Sequence, residues 1–150
     1  MNSLKAAVLA TALVTGFCLA GGVSAGDAVR TYRFSTLMED PAFVAPLPEG
    51  VKYYFGDEPV TVKSQIGPTG SNRKRPTPAR KTPISVACQR AAGDGLIAMG
   101  LNAKAKGGNA VIGIRSNLKG ALNPRGDRFD CGVGMQLLGV TLVGTVAVVD

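Results

Sequence analysis

The N-terminal segment, residues 1–25, determines which part of this chain folds and in which compartment. Its only charged side chain is Lys5, an apolar stretch follows, and small residues lead up to Ala25 and Gly26. This pattern is typical of a secretory signal peptide that is cleaved between Ala25 and Gly26. An uncleaved N-terminal anchor is the alternative. We therefore expect residues 26–150 to be the mature chain, in the periplasm or secreted.

Export changes the chemistry expected of the three cysteines. Cys18 lies within the signal peptide, and the bulky Phe17 before it argues against a lipoprotein. Cys88 and Cys131 remain as a pair in an oxidising compartment, which predicts a disulfide between them. In the loop-entropy model, such a bridge adds about 4 kcal/mol to the free energy of unfolding. Two buried free thiols are the alternative.

Apolar periodicity predicts one long helix and several strands. The helix begins at Thr82-Pro83, where a hydroxyl N-cap precedes a proline, and ends near Lys106 at Gly107-Gly108. Its apolar residues recur at spacings of three and four, so they form one buried stripe. A short helical turn capped by Ser35 is also expected. Strands are predicted at residues 29–34, 51–55, 60–64, 109–116 and from Phe129 onward, with the second and third paired as a hairpin.

The alternation of side chains along two of these strands predicts which residues face the core. Ala110, Ile112 and Ile114 are expected on one face of their strand. The strand that begins at Phe129 is expected to line one face with Cys131, Val133, Met135 and Leu137. A helix packed on this sheet can bring the two cysteines together. The sequence therefore predicts a single α+β domain over residues 26–150, with one main helix on an antiparallel-rich sheet.

Residues 67–83 differ from the rest because they combine prolines and glycines with basic residues and few apolar ones. This composition predicts a flexible basic loop. Its cations can bind phosphate groups of an anionic polymer, a lipid or a nucleic acid. A solvated loop that binds nothing is the alternative. The candidate anion-binding residues are Arg73, Lys74, Arg75, Arg80 and Lys81.

Several motifs resemble known families. The segment 103–115, in which a helix ends in Gly-Gly-Asn-Ala-Val before a strand, resembles the signature of YbjQ-like domains. Residues 52–57 (Lys-Tyr-Tyr-Phe-Gly-Asp), Cys88, Cys131 and the run 139–146 resemble small exported proteobacterial proteins that are labelled "excinuclease ATPase subunit". This resemblance implies a YbjQ-like or RcsF-like α+β fold. It also implies assembly into homo-oligomers, since YbjQ-like domains form rings.

The chain lacks the motifs of an ATPase, and its residues point to no other catalytic set. It contains no His, no Gly-Lys dipeptide for a phosphate-binding loop and no Cys-x-x-Cys for zinc. We therefore expect no catalytic residue, no ATP, no cofactor and no metal. A hard cation held by scattered carboxylates is the alternative. Those carboxylates are Asp57, Glu58, Asp127 and Asp130.

The expected role is that of a non-enzymatic, envelope-associated interaction or oligomerising module. Its partner is expected to be an envelope protein, an anionic envelope polymer or a second copy. The alternative function is binding of an anionic polymer, lipid or nucleic acid through residues 73–81, with nucleic acid the least expected of these ligands. The aromatic residues Tyr53, Tyr54 and Phe55 are expected in the core rather than as a stacking platform.

Overall fold

A computed structural model describes residues 28–79 and 81–150. The predicted signal peptide, its cleavage site at Ala25 and Gly26, and the candidate Arg80 lie outside the described residues. The structure contains a mostly antiparallel sheet with one long helix packed on it. The predicted α+β class is therefore confirmed.

The sheet contains seven strands in the order β1-β6-β7-β4-β2, with β3 paired to β7 and β5 paired to β4. The elements are β1 (Ala28–Arg33), α1 (Phe34–Met38), α2 (Pro41–Val44), β2 (Lys52–Phe55), β3 (Val62–Pro76), α3 (Ile84–Ala105), β4 (Ala110–Leu118), β5 (Ala121–Leu122), β6 (Arg128–Val133) and β7 (Leu137–Val149).

Strand β7 is the centre of the sheet. One of its edges pairs with β3 along its whole length, and the other edge is shared between β6 and β4. Its buried residues Leu138, Val140 and Leu142 face the helix. The chain turns between β6 and β7, so the single strand predicted from Phe129 onward is wrong. Met135 lies in that turn and is 92% exposed.

Helix α3 covers one face of the sheet, called here the front face. The apolar stripe predicted from the sequence is buried, with Leu96 and Met99 at 0% exposure. Small residues let the helix lie close to the strands, since a side chain at Gly95 would contact Ser71 and Leu142. The helix ends as predicted, because Gly107 takes a φ of +79° that favours glycine. Its N-cap is Pro83, so the hydroxyl cap predicted for Thr82 does not form.

A bulge in β4 changes which of its residues face the helix. Gly113 has a φ of +62°, and the register with β7 shifts between Ile112 and Arg115. Ala110 and Ile112 therefore lie on the back face, in a small second core. Ile114 lies on the front face with α3. The predicted common face for Ala110, Ile112 and Ile114 is wrong because the extra residue inverts the alternation.

The predicted hairpin between residues 51–55 and 60–64 does not form. Strand β2 pairs with β4 in the parallel direction, and β3 pairs with β7. Tyr53 of β2 lies beneath α3, in the space that Gly100 leaves free for its ring. Phe55 stacks on Phe34, with ring centroids 4.3 Å apart. These two aromatic residues pack against the core rather than forming a platform.

We predict that Tyr53 makes the protein less stable at high pH. Its hydroxyl is buried without a hydrogen-bond partner among the described residues, and burial raises its pKa from 10.0 to about 12. Between these values the unfolded chain loses the phenolic proton while the folded protein keeps it, so the free energy of unfolding falls as pH rises. Urea unfolding at a series of pH values should show that the free energy of unfolding falls less steeply with pH in Tyr53→Phe than in the wild type. Equal pH dependence in the two proteins would contradict this prediction.

The predicted disulfide is present and joins the helix to the sheet. Cys88 of α3 and Cys131 of β6 are bonded, with their Cα atoms 5.9 Å apart. Both residues are 0% exposed. The bridge therefore lies inside the core, where it links two elements that are 43 residues apart in the sequence.

Candidate functional site: the free edge of strand β3

Strand β3 is a sheet edge. Among the described residues it pairs with β7 alone, so one side of its backbone has no strand beside it. A free edge presents unpaired N–H and C=O groups that can bind another chain. The strand is also 15 residues long, which is unusual for an edge.

The prolines of β3 show which residues point outward from the sheet. Pro68 has no N–H, so it cannot exchange a pair of hydrogen bonds with Thr145 of β7, which lies opposite. Its carbonyl instead accepts a hydrogen bond from Nζ of Lys106 at 3.1 Å. Groups two residues apart in a strand point the same way, so Pro76 also points outward. Thr77 is an odd number of residues away from both prolines, so its backbone points the other way. Its N–H donates toward the sheet, to the carbonyl of Gln136 at 2.8 Å.

Three residues between the prolines therefore offer their backbone groups at the free edge. These are Gly70, Asn72 and Lys74, and all three are exposed. We call residues 69–75 the β3 edge. It is bounded at both ends by a proline, which cannot donate to an added strand.

The segment predicted as a flexible basic loop is mostly this strand. Residues 67–76 belong to β3, and Thr77 donates from Oγ1 to the carbonyl of Gly134 at 2.8 Å. Helix α3 adds further contacts, since Asn102 Nδ2 donates to Thr69 Oγ1 at 3.1 Å. The loop prediction was wrong over this range. The segment has few apolar residues to pack in a core, but its backbone hydrogen bonds with β7 hold it in an ordered strand.

The strand separates the candidate cations instead of clustering them. Arg73 and Arg75 lie on the front face, and Lys74 lies on the back face. Arg75 donates from Nη2 and Nε to Oδ2 of Asp94 at 2.6 and 2.8 Å. Lys81 is exposed in the turn before α3. The structure therefore does not place the described members of this set in a single anion-binding site.

The β3 edge is nevertheless basic. Strand β3 contains Lys63, Arg73, Lys74 and Arg75 and no acidic residue. Lys63 is paired with Asp150 at 2.7 Å, at the far end of the strand. The positive charge that a bound segment would meet at the β3 edge comes mainly from Arg73 and Lys74.

The carboxylates considered for a hard cation have partners inside the protein. Asp57 pairs with Arg115 at 2.7 Å, and Asp130 accepts from Thr31 at 2.7 Å. Asp127 lies 3.6 Å from Arg128. Within the described ranges, no three His, Cys, Asp or Glu side chains are grouped so that they could hold a metal ion.

Two further findings do not concern the β3 edge itself. None of the helices in the described part is long and apolar enough to cross a membrane. No model of a known protein family and no curated protein matches the sequence.

Gly70 and Asn72 were not among the functional candidates predicted from the sequence. A signal for them was present, because Pro68 and Pro76 are an even number of residues apart. Two prolines on the same side of one strand are typical of an edge strand.

Proposed function

We propose that this protein is an exported, non-enzymatic interaction module that binds an extended segment of a partner protein along the β3 edge. The observation that carries the proposal is the set of outward N–H and C=O groups at Gly70, Asn72 and Lys74. Strand addition of this kind takes its affinity from main-chain hydrogen bonds and its selectivity from side chains that alternate between the two faces. The export part of the proposal rests on residues 1–25.

The charge of the β3 edge favours an acidic partner segment over a second copy of this chain. An antiparallel pair of β3 edges would be centred on Asn72, because the prolines limit it on both sides. Each Arg73 would then be opposite Ser71 of the other copy, and both arginines would share one face within a few residues of each other. Like charges this close destabilise a strand pair. Acidic side chains on the added strand would instead attract Arg73 and Lys74.

Strand addition also agrees better with the geometry than binding of an anionic polymer through residues 73–81. Such a polymer would need several cations on one surface, whereas Arg73 and Lys74 face opposite sides of the sheet. Arg75 is already held by Asp94. An added strand presents side chains on both faces, so its acidic residues can meet Arg73 on one face or Lys74 on the other.

The proposal predicts that Asn72→Pro abolishes most binding of a short peptide of alternating glutamate and valine. The substitution removes an outward N–H and leaves the ladder with β7 intact, because residue 72 points away from β7. We expect at least a tenfold loss of affinity, about 1.4 kcal/mol, by isothermal titration calorimetry. Asn72→Ala keeps the N–H and should bind within about twofold of the wild type.

Two controls make this experiment decisive. Circular dichroism should show that Asn72→Pro unfolds within a few degrees of the wild type. A peptide of alternating lysine and valine should bind more weakly than the acidic one. Equal binding by Asn72→Pro and the wild type, or no binding of the acidic peptide, would contradict the proposal.

A further inference from the structure

A transverse channel crosses the back face of the sheet. Lys74 of β3 is opposite Gly139 of β7, Gly139 is opposite Gly132 of β6, and Gly132 is opposite Val29 of β1. These four residues form one row on the back face. The two glycines in its middle place no side chain above the sheet, so the row is a depression with a lysine at one end. Three strand spacings separate its ends, which is roughly 14 Å.

The channel is open over Gly139, whereas Leu118 of β4 covers Gly132. Helix α3 lies on the front face. The second core, where Tyr54, Val60 and Val62 pack on the back of β4 and β7, is confined to the other end of the sheet. What remains is a cavity of about 490 Å³. We call it the back groove.

The lining of the back groove is mixed, and its apolar part is formed by leucines and a methionine. Leu118 lies over Gly132, since an added Cβ there would be 3.5 Å from its methyl carbons. Met135 and Leu137 border the groove and are 92% and 52% exposed. Exposed apolar side chains gathered around one cavity mark a binding site more often than a bare surface. The cavity volume is within the range of small-molecule sites.

The charge of the back groove selects an anion. Lys74 contributes its ammonium group at the β3 end, where the Lys74 stem also lies beside Gly139. Lys119 borders the groove as well, and its lining contains no acidic residue. The remaining polar residues of the lining are neutral. A ligand that matches this arrangement has one negative group and a hydrocarbon chain.

We propose that the back groove binds one free long-chain fatty acid, with its carboxylate at Lys74 and its chain over Gly139 toward Leu118. The carboxylate would form a charge-assisted hydrogen bond with the ammonium group. Burial of the chain would remove apolar surface of both the ligand and the groove from water. The inference does not depend on strand addition, because the floor of the groove at Gly139 is present without an added strand, although both sites would use the Lys74 side chain.

The test is a calorimetric titration of the purified, delipidated protein with dodecanoate below its micelle concentration. We expect one dodecanoate per chain. Gly139→Val fills the floor of the groove and should abolish binding, whereas Thr145→Val, on the same face outside the groove, should leave it unchanged. Gly139 has room for a Cβ, because its nearest neighbours would be 3.5 Å away.

Two further variants test the charge without filling the groove. Lys74→Gln should weaken dodecanoate at least fivefold and leave the weaker binding of uncharged dodecanol unchanged. Met135→Glu adds a carboxylate at an exposed turn position, so it should weaken dodecanoate more than Met135→Gln does. These two positions are exposed, so their substitution does not disturb the core.

Three results would overturn the inference. They are binding of dodecanoate by Gly139→Val at wild-type strength, equal binding by Lys74→Gln and the wild type, and binding to phosphatidylglycerol vesicles without binding of free dodecanoate. The last result would indicate an interaction with a membrane surface. Loss of dodecanoate binding in Gly139→Val, with binding of the acidic peptide retained, would separate this site from the β3 edge.

Discussion

Gly126→Ala is expected to lower the free energy of unfolding by at least about 3 kcal/mol, beyond the usual range for overpacking. The turn after β2 and the loop before β6 meet there backbone to backbone. A Cβ on Gly126 would overlap the Cα of Gly56 and lie 3.1 Å from its nitrogen. Because the atoms it meets belong to the main chain, no side chain can rotate away. Urea unfolding of the two proteins measures the difference.

Gly67→Ala is the matched control for this substitution. Gly67 also lies outside the helices, but nothing in the structure comes within 4 Å of a Cβ added there. We expect its stability to stay within about 0.5 kcal/mol of the wild type, as for other surface substitutions. If Gly126→Ala unfolds at the same urea concentration as Gly67→Ala, the close approach of the two loops is wrong.

Removal of the disulfide is the second large effect. The double variant Cys88→Ala with Cys131→Ala should be less stable than the wild type by about 4 kcal/mol, since the unfolded chain gains the entropy of an open 43-residue loop. Small cavities left by the two sulfur atoms add to this loss. Equilibrium urea unfolding, followed by circular dichroism, measures the change.

Burial of the bridge gives this prediction an independent control. Both cysteines are 0% exposed, so a reductant reaches the disulfide only when the protein opens. Dithiothreitol without urea should therefore leave the native protein oxidised, whereas with urea it should lower the midpoint toward that of the double variant. Two alkylatable thiols in the native protein would contradict the disulfide itself.

Helix α3 was predictable because its signal is a local pattern of residues. The disulfide was predictable from the number of cysteines. The apolar stripe of the helix repeats at spacings of three and four, and Gly107 marks its end. The pairing of Cys88 with Cys131 followed from the predicted removal of Cys18 with a signal peptide, which would leave one possible bridge. Neither inference required knowledge of which strands are neighbours.

Strand β3 was missed because its order comes from its partners. The segment has the prolines, glycines and charges of a loop, but these residues are also the ones that an edge strand uses. Its order comes from the ladder with β7 and from contacts with α3, such as the pair Arg75–Asp94. These partners are distant from β3 in the sequence, so no local pattern of residues indicates them.

The pairing of β2 and the bulge in β4 show the same limit at smaller scale. Proximity in sequence suggested that residues 51–55 and 60–64 form a hairpin, but β2 pairs instead with β4, beyond the helix. At Gly113 a single extra residue exchanges the faces of β4. The candidate site was also predicted only in part. Composition identified the basic residues, but only the strand register shows that Arg73 and Lys74 face opposite sides.

The position of β7 in the chain has a consequence for the timing of folding. Strand β7 follows β3, β4 and β6, yet all three need it as their neighbour in the sheet. Until β7 is synthesised, β3 has no strand to pair with, and the pairs β1–β6 and β2–β4 are not joined to each other through it. The contacts that β7 makes with β3 and β4 span long stretches of chain. We therefore expect the complete sheet to form only after β7 has been synthesised. An incompletely folded chain is the form that the export proposed from residues 1–25 would require.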